Sequence, residues 1–102
     1  MKRRYILAPQ AARDLVQIWR YINKESSEQT ADRVEAVIRC KFAYLADHPE
    51  GGHLRRDLTT AEVRFLSVYS YLVVYRPETK PLQIVAILHA RRDVTKILPK
   101  RV

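Results

Sequence analysis

The fold of this chain is decided by one stretch, VRFLSVYSYLVVYRPETKPLQIVAILH, which spans residues 63–89. It contains three runs, Val63 to Val68, Tyr71 to Arg76 and Leu82 to His89, that either alternate with a period of two or are wholly apolar. Runs of this length that are rich in Val, Ile, Leu and Tyr predict β-strands. Because the loop from Pro77 to Pro81 is short, we expect sequential strands to be neighbours in an antiparallel meander.

Helical periodicity dominates the sequence that precedes this stretch. After a short apolar strand, Tyr5 to Ala8, Pro9 is well suited to the first turn of a helix, which runs from Gln10 to Asn23. The apolar positions of this helix recur in steps of three and four and are Ala11, Leu15, Ile18 and Ile22, widened by Ala12, Val16 and Trp19. This spacing predicts an amphipathic helix that buries one stripe.

Local signals place two further helices. A capping box, Ser26 to Gln29, predicts the start of a second helix, which ends before Pro49 because proline disfavours helical geometry in the preceding residue. Gly51-Gly52 marks the place where the backbone is free to turn, and Asp93 can cap a short C-terminal helix. We therefore predict an α+β fold of order β-α-α-β-β-β over residues 1–102. One domain holds a helical hairpin packed on an antiparallel sheet, with a short C-terminal helix.

The charge of the chain is strongly positive and unevenly distributed. The formal net charge is +8, and from Arg55 onward ten basic residues stand against four acidic ones, so that half carries +6. Such a field favours an anionic partner and rapid, salt-sensitive association. The alternative is that the charge only keeps a small protein soluble. Its concentration in one half favours an acidic macromolecular partner.

Cysteine usage and hydropathy predict a cytoplasmic protein that does not enter a membrane. Cys40 is the only cysteine, so no intramolecular disulfide can form. The basic segment Met1 to Arg4 precedes an apolar run that is too short for an export signal, and no run is long enough to span a bilayer.

No cofactor or metal site is predicted. His48, His53, His89 and Cys40 share no ligand spacing, and no motif supports a serine or cysteine nucleophile.

A set of basic residues on the predicted sheet is the main candidate for a functional site. It consists of Arg64, Arg76, His89, Arg91 and Arg92, which a meander could bring together at one edge. Together these side chains could grip a phosphate and transfer a proton. In the alternative interpretation, which we favour for the histidine, His89 is hydrogen-bonded locally and the arginines are solvated or paired with Asp57 or Asp93.

Aromatic side chains form a second candidate surface. Trp19 and Tyr21 lie close together in the first helix, and Tyr69, Tyr71 and Tyr75 mark the second hairpin. Aromatic residues at such spacings are usually part of a core, and we expect this for Trp19. The tyrosines are equally consistent with a core or with anchors for a partner peptide.

An ordered set of motifs runs along nearly the whole chain. The motifs are Ala12 to Leu15, Ile18 to Ile22, Leu45 to Pro49, Gly52 to Leu58, Val63-Arg64, Tyr71 to Arg76 and Ile84 to Asp93. In this order they resemble the toxins of bacterial type II toxin-antitoxin modules, in particular the ParE branch of the RelE/ParE superfamily. The resemblance implies the same fold that the periodicity predicts.

The resemblance implies a toxin that poisons DNA gyrase by direct binding, without catalytic residues of its own. The target-binding residues would be Arg64, Arg76, His89, Arg91 and Arg92. RelE-like relatives instead cleave messenger RNA on the ribosome, and in that alternative Arg64, His89 and Arg91 would be catalytic. Many RNA-cleaving relatives place a tyrosine near the C-terminus, and none follows His89 here, which favours gyrase. A third alternative is a relative that only binds its antitoxin.

The resemblance also implies a ParD-like antitoxin whose C-terminal segment wraps the toxin. Its contacts would include Trp19, Tyr71, Tyr75 and Arg76, and operator DNA would be bound only through the antitoxin complex. One departure concerns Tyr69-Ser70, where relatives commonly have a glycine-type turn.

Overall fold

The computed structural model describes residues 4–102, so Met1, Lys2 and Arg3 of the predicted basic segment lie outside the described residues. The elements, in chain order, are β1 (Tyr5–Leu7), α1 (Pro9–Glu25), α2 (Glu28–Asp47), a 3₁₀ turn (Pro49–Gly51), β2 (Arg64–Val68), β3 (Tyr71–Arg76), β4 (Leu82–His89) and α3 (Val94–Arg101). The predicted class and element order are confirmed. No helix between residues 4 and 102 is both long and apolar enough to cross a bilayer.

The four strands form one mixed sheet in the order β1-β4-β3-β2. The meander of β2, β3 and β4 is antiparallel, as predicted from its short loops. The edge strand β1 pairs with β4 in parallel, from Tyr5 opposite Leu82 to Leu7 opposite Ile84. A parallel pair requires a long crossover between its strands. The helical hairpin supplies the first part of that crossover.

The helical hairpin covers one face of the sheet. Its second helix begins at Ser27, whose side-chain oxygen accepts a hydrogen bond of 3.0 Å from the backbone N–H of Thr30. The apolar side chains that fill this interface are Ala11, Leu15, Ile18, Ile38, Phe42 and Leu45 from the helices and Val73, Tyr75, Leu82, Ile84 and Ile87 from the strands. The central residues of the predicted α1 stripe, Ala11, Leu15 and Ile18, therefore lie in the core.

The opposite face of the sheet is also covered, which the sequence analysis did not predict. A second core contains Val63, Phe65, Leu72, Val74, Val85 and Leu88, over which Val94 and Leu98 of α3 pack. Leu58 and Ala61 of the loop before β2 close the same core. Apolar side chains therefore cover both faces of the central strands.

Asp14 of α1 compensates for the early end of β1. The carboxylate Oδ2 accepts a hydrogen bond of 3.1 Å from the N–H of Ile87, in a part of β4 that β1 does not reach. Both terminal nitrogens of Arg101 also donate to Asp14, each at 2.9 Å, and the two side chains are only 12% and 14% exposed. The hydrogen bond to Asp14 raises the pKa of Arg101. One carboxylate thus joins α1, β4 and α3.

Tyr75 ties the centre of the sheet to the turn after α2. Its hydroxyl accepts a hydrogen bond of 2.8 Å from the N–H of Gly52 and donates one of 2.6 Å to the carbonyl of Pro49. Neither glycine has a positive φ, so free turning is not what residue 52 requires. A Cβ atom at Gly52 would lie 2.6 Å from the Tyr75 hydroxyl, and this close approach excludes any side chain.

The connection between β2 and β3 is Tyr69-Ser70, the pair at which the sequence departs from the glycine-type turn of the family it resembles. Tyr69 has a φ of 55° and is 61% exposed, and it is the only non-glycine residue with positive φ among residues 4–102. The favoured two-residue hairpin turns place glycine at such a position. Tyr69 therefore adopts a conformation that costs a residue with a side chain about 1–2 kcal/mol.

Replacing Tyr75 with phenylalanine is expected to lower the free energy of unfolding by about 1–3 kcal/mol, because the buried N–H of Gly52 would lose its acceptor. Urea denaturation followed by circular dichroism measures the change. Tyr71→Phe serves as the control, since that hydroxyl has no hydrogen-bond partner in the described part of the chain. Equal losses in the two variants would contradict the role of the Tyr75 hydroxyl.

Replacing Tyr69 with glycine is expected to raise the free energy of unfolding by about 0.5–1 kcal/mol. Relief of the left-handed backbone outweighs the greater freedom of glycine in the unfolded chain. Ser70→Gly, at the neighbouring position without positive φ, is expected to lower it instead. Thermal or urea unfolding of both variants checks the two signs, and a loss of stability in Tyr69→Gly would refute the assignment of strain.

Candidate partner-binding surfaces

The turn from Ala90 to Asp93, which we call the arginine turn, joins β4 to α3. His89 fixes it, since its ring Nδ1 accepts hydrogen bonds of 3.2 and 3.3 Å from the N–H groups of Arg91 and Arg92. The side chain of Asp93 accepts from the N–H of His89 at 3.3 Å and does not cap α3, although Asp93 occupies the cap position. His89 is therefore hydrogen-bonded locally, as in the interpretation favoured from the sequence.

The arginine turn lies beside two tyrosines. The guanidinium carbon of Arg92 is 5.7 Å from the ring centre of Tyr21, and the Tyr71 ring meets His89 edge-on at 5.8 Å between centroids. These side chains line a cavity of about 210 Å³. Burial raises the pKa of Tyr71, so its hydroxyl is uncharged at neutral pH. Arg91 and Arg92 are both exposed.

The predicted convergence of the basic residues at one sheet edge is wrong. Arg64 lies opposite Tyr75 in the sheet, whereas His89 lies opposite Tyr71. Tyr71 and Tyr75 are four steps apart along β3, or about 13 Å. Arg76 lies one residue further in the same direction. Arg64 and Arg76 therefore occupy one end of the strands, and the arginine turn occupies the other.

The two arginines at the far end have different surroundings. Arg64 is partly buried and donates a hydrogen bond of 3.1 Å to the carbonyl of Gly52, so it supports the same turn as Tyr75. Arg76 lines an open cavity together with Arg13 and Arg101. Sequence reasoning missed Arg13 and Arg101. In the sequence, Arg13 follows Pro9 by about one helical turn, which indicates only that these two residues share a helix face.

The flank of the α1 stripe is exposed and lines an apolar groove. The groove has a volume of about 350 Å³ and is lined by Leu7, Ala12, Leu15, Val16 and Trp19, together with Arg20, Glu35 and Arg39. Val16 is 49% exposed. The indole N–H of Trp19 donates to Asp32 at 2.8 Å, which links α1 to α2. Trp19 is thus half-buried at the groove and does not lie in the main core.

The other aromatic candidates are less accessible. Tyr75 is fully buried, which removes its side chain from the surface that a partner can reach, and Tyr71 is 9% exposed. Tyr21 and Tyr69 are exposed at 49% and 61%. Among residues 4–102 no three His, Cys, Asp or Glu side chains are grouped as metal ligands would be.

Among the comparisons with known proteins, a family model identifies the family of this chain. A search of curated protein sequences finds no match. Among solved structures, the chain is similar to one described as "Chromosomal ParDE TA system from P. aeruginosa", with a TM-score of 0.73 and 20% identity over 85% of this chain and 95% of that chain. This likeness shows a shared fold. The family model described as the ParE toxin of the type II toxin-antitoxin system parDE matches residues 5–94. The resemblance seen in the sequence is confirmed, and the chain belongs to the ParE family of type II toxins.

Proposed function

We propose that this toxin inhibits DNA gyrase by direct protein binding and that a ParD-like antitoxin neutralises it. The proposal that the toxin acts by binding, without catalysis, rests on the separation of Arg64 from His89 along the strands. A nuclease site needs its acid, base and phosphate-binding groups within hydrogen-bond reach of one reacting centre. Residues at opposite ends of a sheet do not meet that requirement, so the basic residues act as binding groups.

The arginine turn is the surface that best suits a protein target. Arg91 and Arg92 are exposed, and Arg92 stacks beside Tyr21. Arginine and tyrosine are the residue types that most often dominate the energetics of protein interfaces. Of the predicted target-binding residues, His89 contributes by holding the turn. Arg64 and Arg76 lie too far away to share this contact.

The groove beside Val16 and Trp19 is the surface that best suits the antitoxin. An amphipathic segment binds such a groove through its apolar face, and the net charge of +8 favours a segment with acidic residues. The family description names a parDE system, which supports a ParD-like partner. Operator DNA would then be bound through the complex of the two proteins.

Loss of both arginines of the turn is expected to weaken gyrase inhibition about tenfold or more, since interface arginines commonly contribute more than 1 kcal/mol each. The assay is plasmid supercoiling by purified gyrase, with cleaved plasmid as a second readout. The variant is Arg91→Ala/Arg92→Ala. The matched control, Arg33→Ala/Lys41→Ala, removes two exposed charges from α2 and should change inhibition less than about twofold.

Gyrase that is unaffected by saturating wild-type protein would reject the proposal. Cuts in translated messages that disappear in His89→Ala would establish the ribonuclease alternative. Normal growth on induction without the antitoxin would establish the third alternative, a chain that only binds its antitoxin.

An acidic side chain in the groove is expected to weaken antitoxin binding at least about tenfold, because Val16→Asp places an unpaired charge in an apolar contact. Calorimetry with the antitoxin encoded beside this chain measures the effect. Leu54→Asp is the control, since Leu54 is 45% exposed and lies in the loop before β2. Equal weakening of antitoxin binding by the two substitutions would indicate that the antitoxin binds outside the groove.

A further inference from the structure

A second basic surface, remote from the arginine turn, lies where α1 begins. It is an open cavity of about 390 Å³, which we call the arginine cavity. Its polar lining consists of Gln10, Arg13, Arg76, Gln83 and Arg101, and no aspartate or glutamate lines it. These side chains come from α1, β3, β4 and α3, so the cavity is assembled by the tertiary fold.

The local structure explains how these side chains share one cavity. Gln10 and Arg13 are three residues apart in α1 and therefore lie on the same helix face. Arg76 and Gln83 are paired opposite each other across β3 and β4, which puts them on the same side of the sheet. Arg101 is anchored by its bidentate contact with Asp14.

The charges in the cavity are only partly compensated. Asp14 neutralises Arg101, whereas within the described residues neither Arg13 nor Arg76 has a carboxylate at ion-pair distance. Two like charges that face one cavity repel each other, and a bound anion would relieve that repulsion. The guanidinium of Arg101 has five N–H groups, so its two bonds to Asp14 leave further donors for a ligand.

We infer that the arginine cavity binds a phosphate group. Guanidinium groups match phosphate oxygens in bidentate geometry, and the two glutamine amides add neutral donors. Donors that approach from four different elements suit the three or four oxygens of a tetrahedral phosphate better than the two coplanar oxygens of a carboxylate. The first turn of α1, which has no side-chain cap, adds a weaker positive potential nearby. The source is either a free phosphate or the backbone of a polynucleotide.

Titration of the isotope-labelled wild-type protein with inorganic phosphate, followed by amide NMR shifts at constant ionic strength, tests this inference. The amides of Gln10, Arg13, Arg76 and Gln83 should shift in a saturable way, while those of Arg91 and Arg92 should not. Uniform small shifts at all basic residues would contradict a specific phosphate site.

A second experiment distinguishes the two sources of the phosphate by competition with a short duplex DNA or with adenosine 5′-monophosphate. Displacement of phosphate by the duplex identifies a backbone source, and displacement by the nucleotide alone identifies a free one.

The double variant Arg13→Gln/Arg76→Gln should weaken phosphate binding about tenfold or more. Arg33→Gln/Lys41→Gln removes the same charge from α2 and should leave binding within about twofold. Equal affinity for phosphate in the two variants, or binding of polyglutamate at the cavity without any binding of phosphate, would overturn the inference. Circular dichroism confirms that each variant is folded. Gyrase is absent from these assays, so phosphate binding and gyrase inhibition can fail separately.

Discussion

The contact of Asp14 with Ile87 and Arg101 is the interaction on which the remaining surfaces depend. The strand β1 ends at Leu7, and without Asp14 the N–H of Ile87 would be left without a partner inside the fold. Loss of one member of a buried ion pair costs about 3 kcal/mol or more, because the other charge remains buried alone. Since Asp14 lies on α1 and Arg101 on α3, the same contact fixes the helices on the two sides of the sheet.

This constraint explains why three surfaces have defined positions. The groove lies on α1, the arginine turn leads into α3, and Arg101 lines the arginine cavity. Each surface therefore contains, or directly adjoins, a residue of a helix that Asp14 holds. The ion pair sets the positions of these surfaces, and its own two side chains are only 12% and 14% exposed.

The sequence was sufficient to predict the element order and the meander, because those features depend on local periodicity and short loops. It was less informative about the second core. The wholly apolar runs of β3 and β4 indicate strands covered on both faces. On the second face these strands are covered by Leu58, Ala61 and the short helix α3, whose apolar periodicity is weak. The antiparallel order alone places the start of β2 and the end of β4 at opposite ends, so the separation of Arg64 from His89 was predictable. The meeting of Arg13 with Arg101 was not, since only the tertiary fold brings them together.

The geometry of α1 limits how a segment bound in the groove could also cover the arginine turn. Trp19 lines the groove and Tyr21 contacts Arg92. Two residues along an α-helix are separated by about 200° around its axis, so these side chains point to nearly opposite sides. A segment confined to the groove would leave Arg92 and Tyr21 open to a target. If gyrase binds the arginine turn, neutralisation therefore requires an antitoxin segment that continues from the groove around α1, or a partner bulky enough to block the turn.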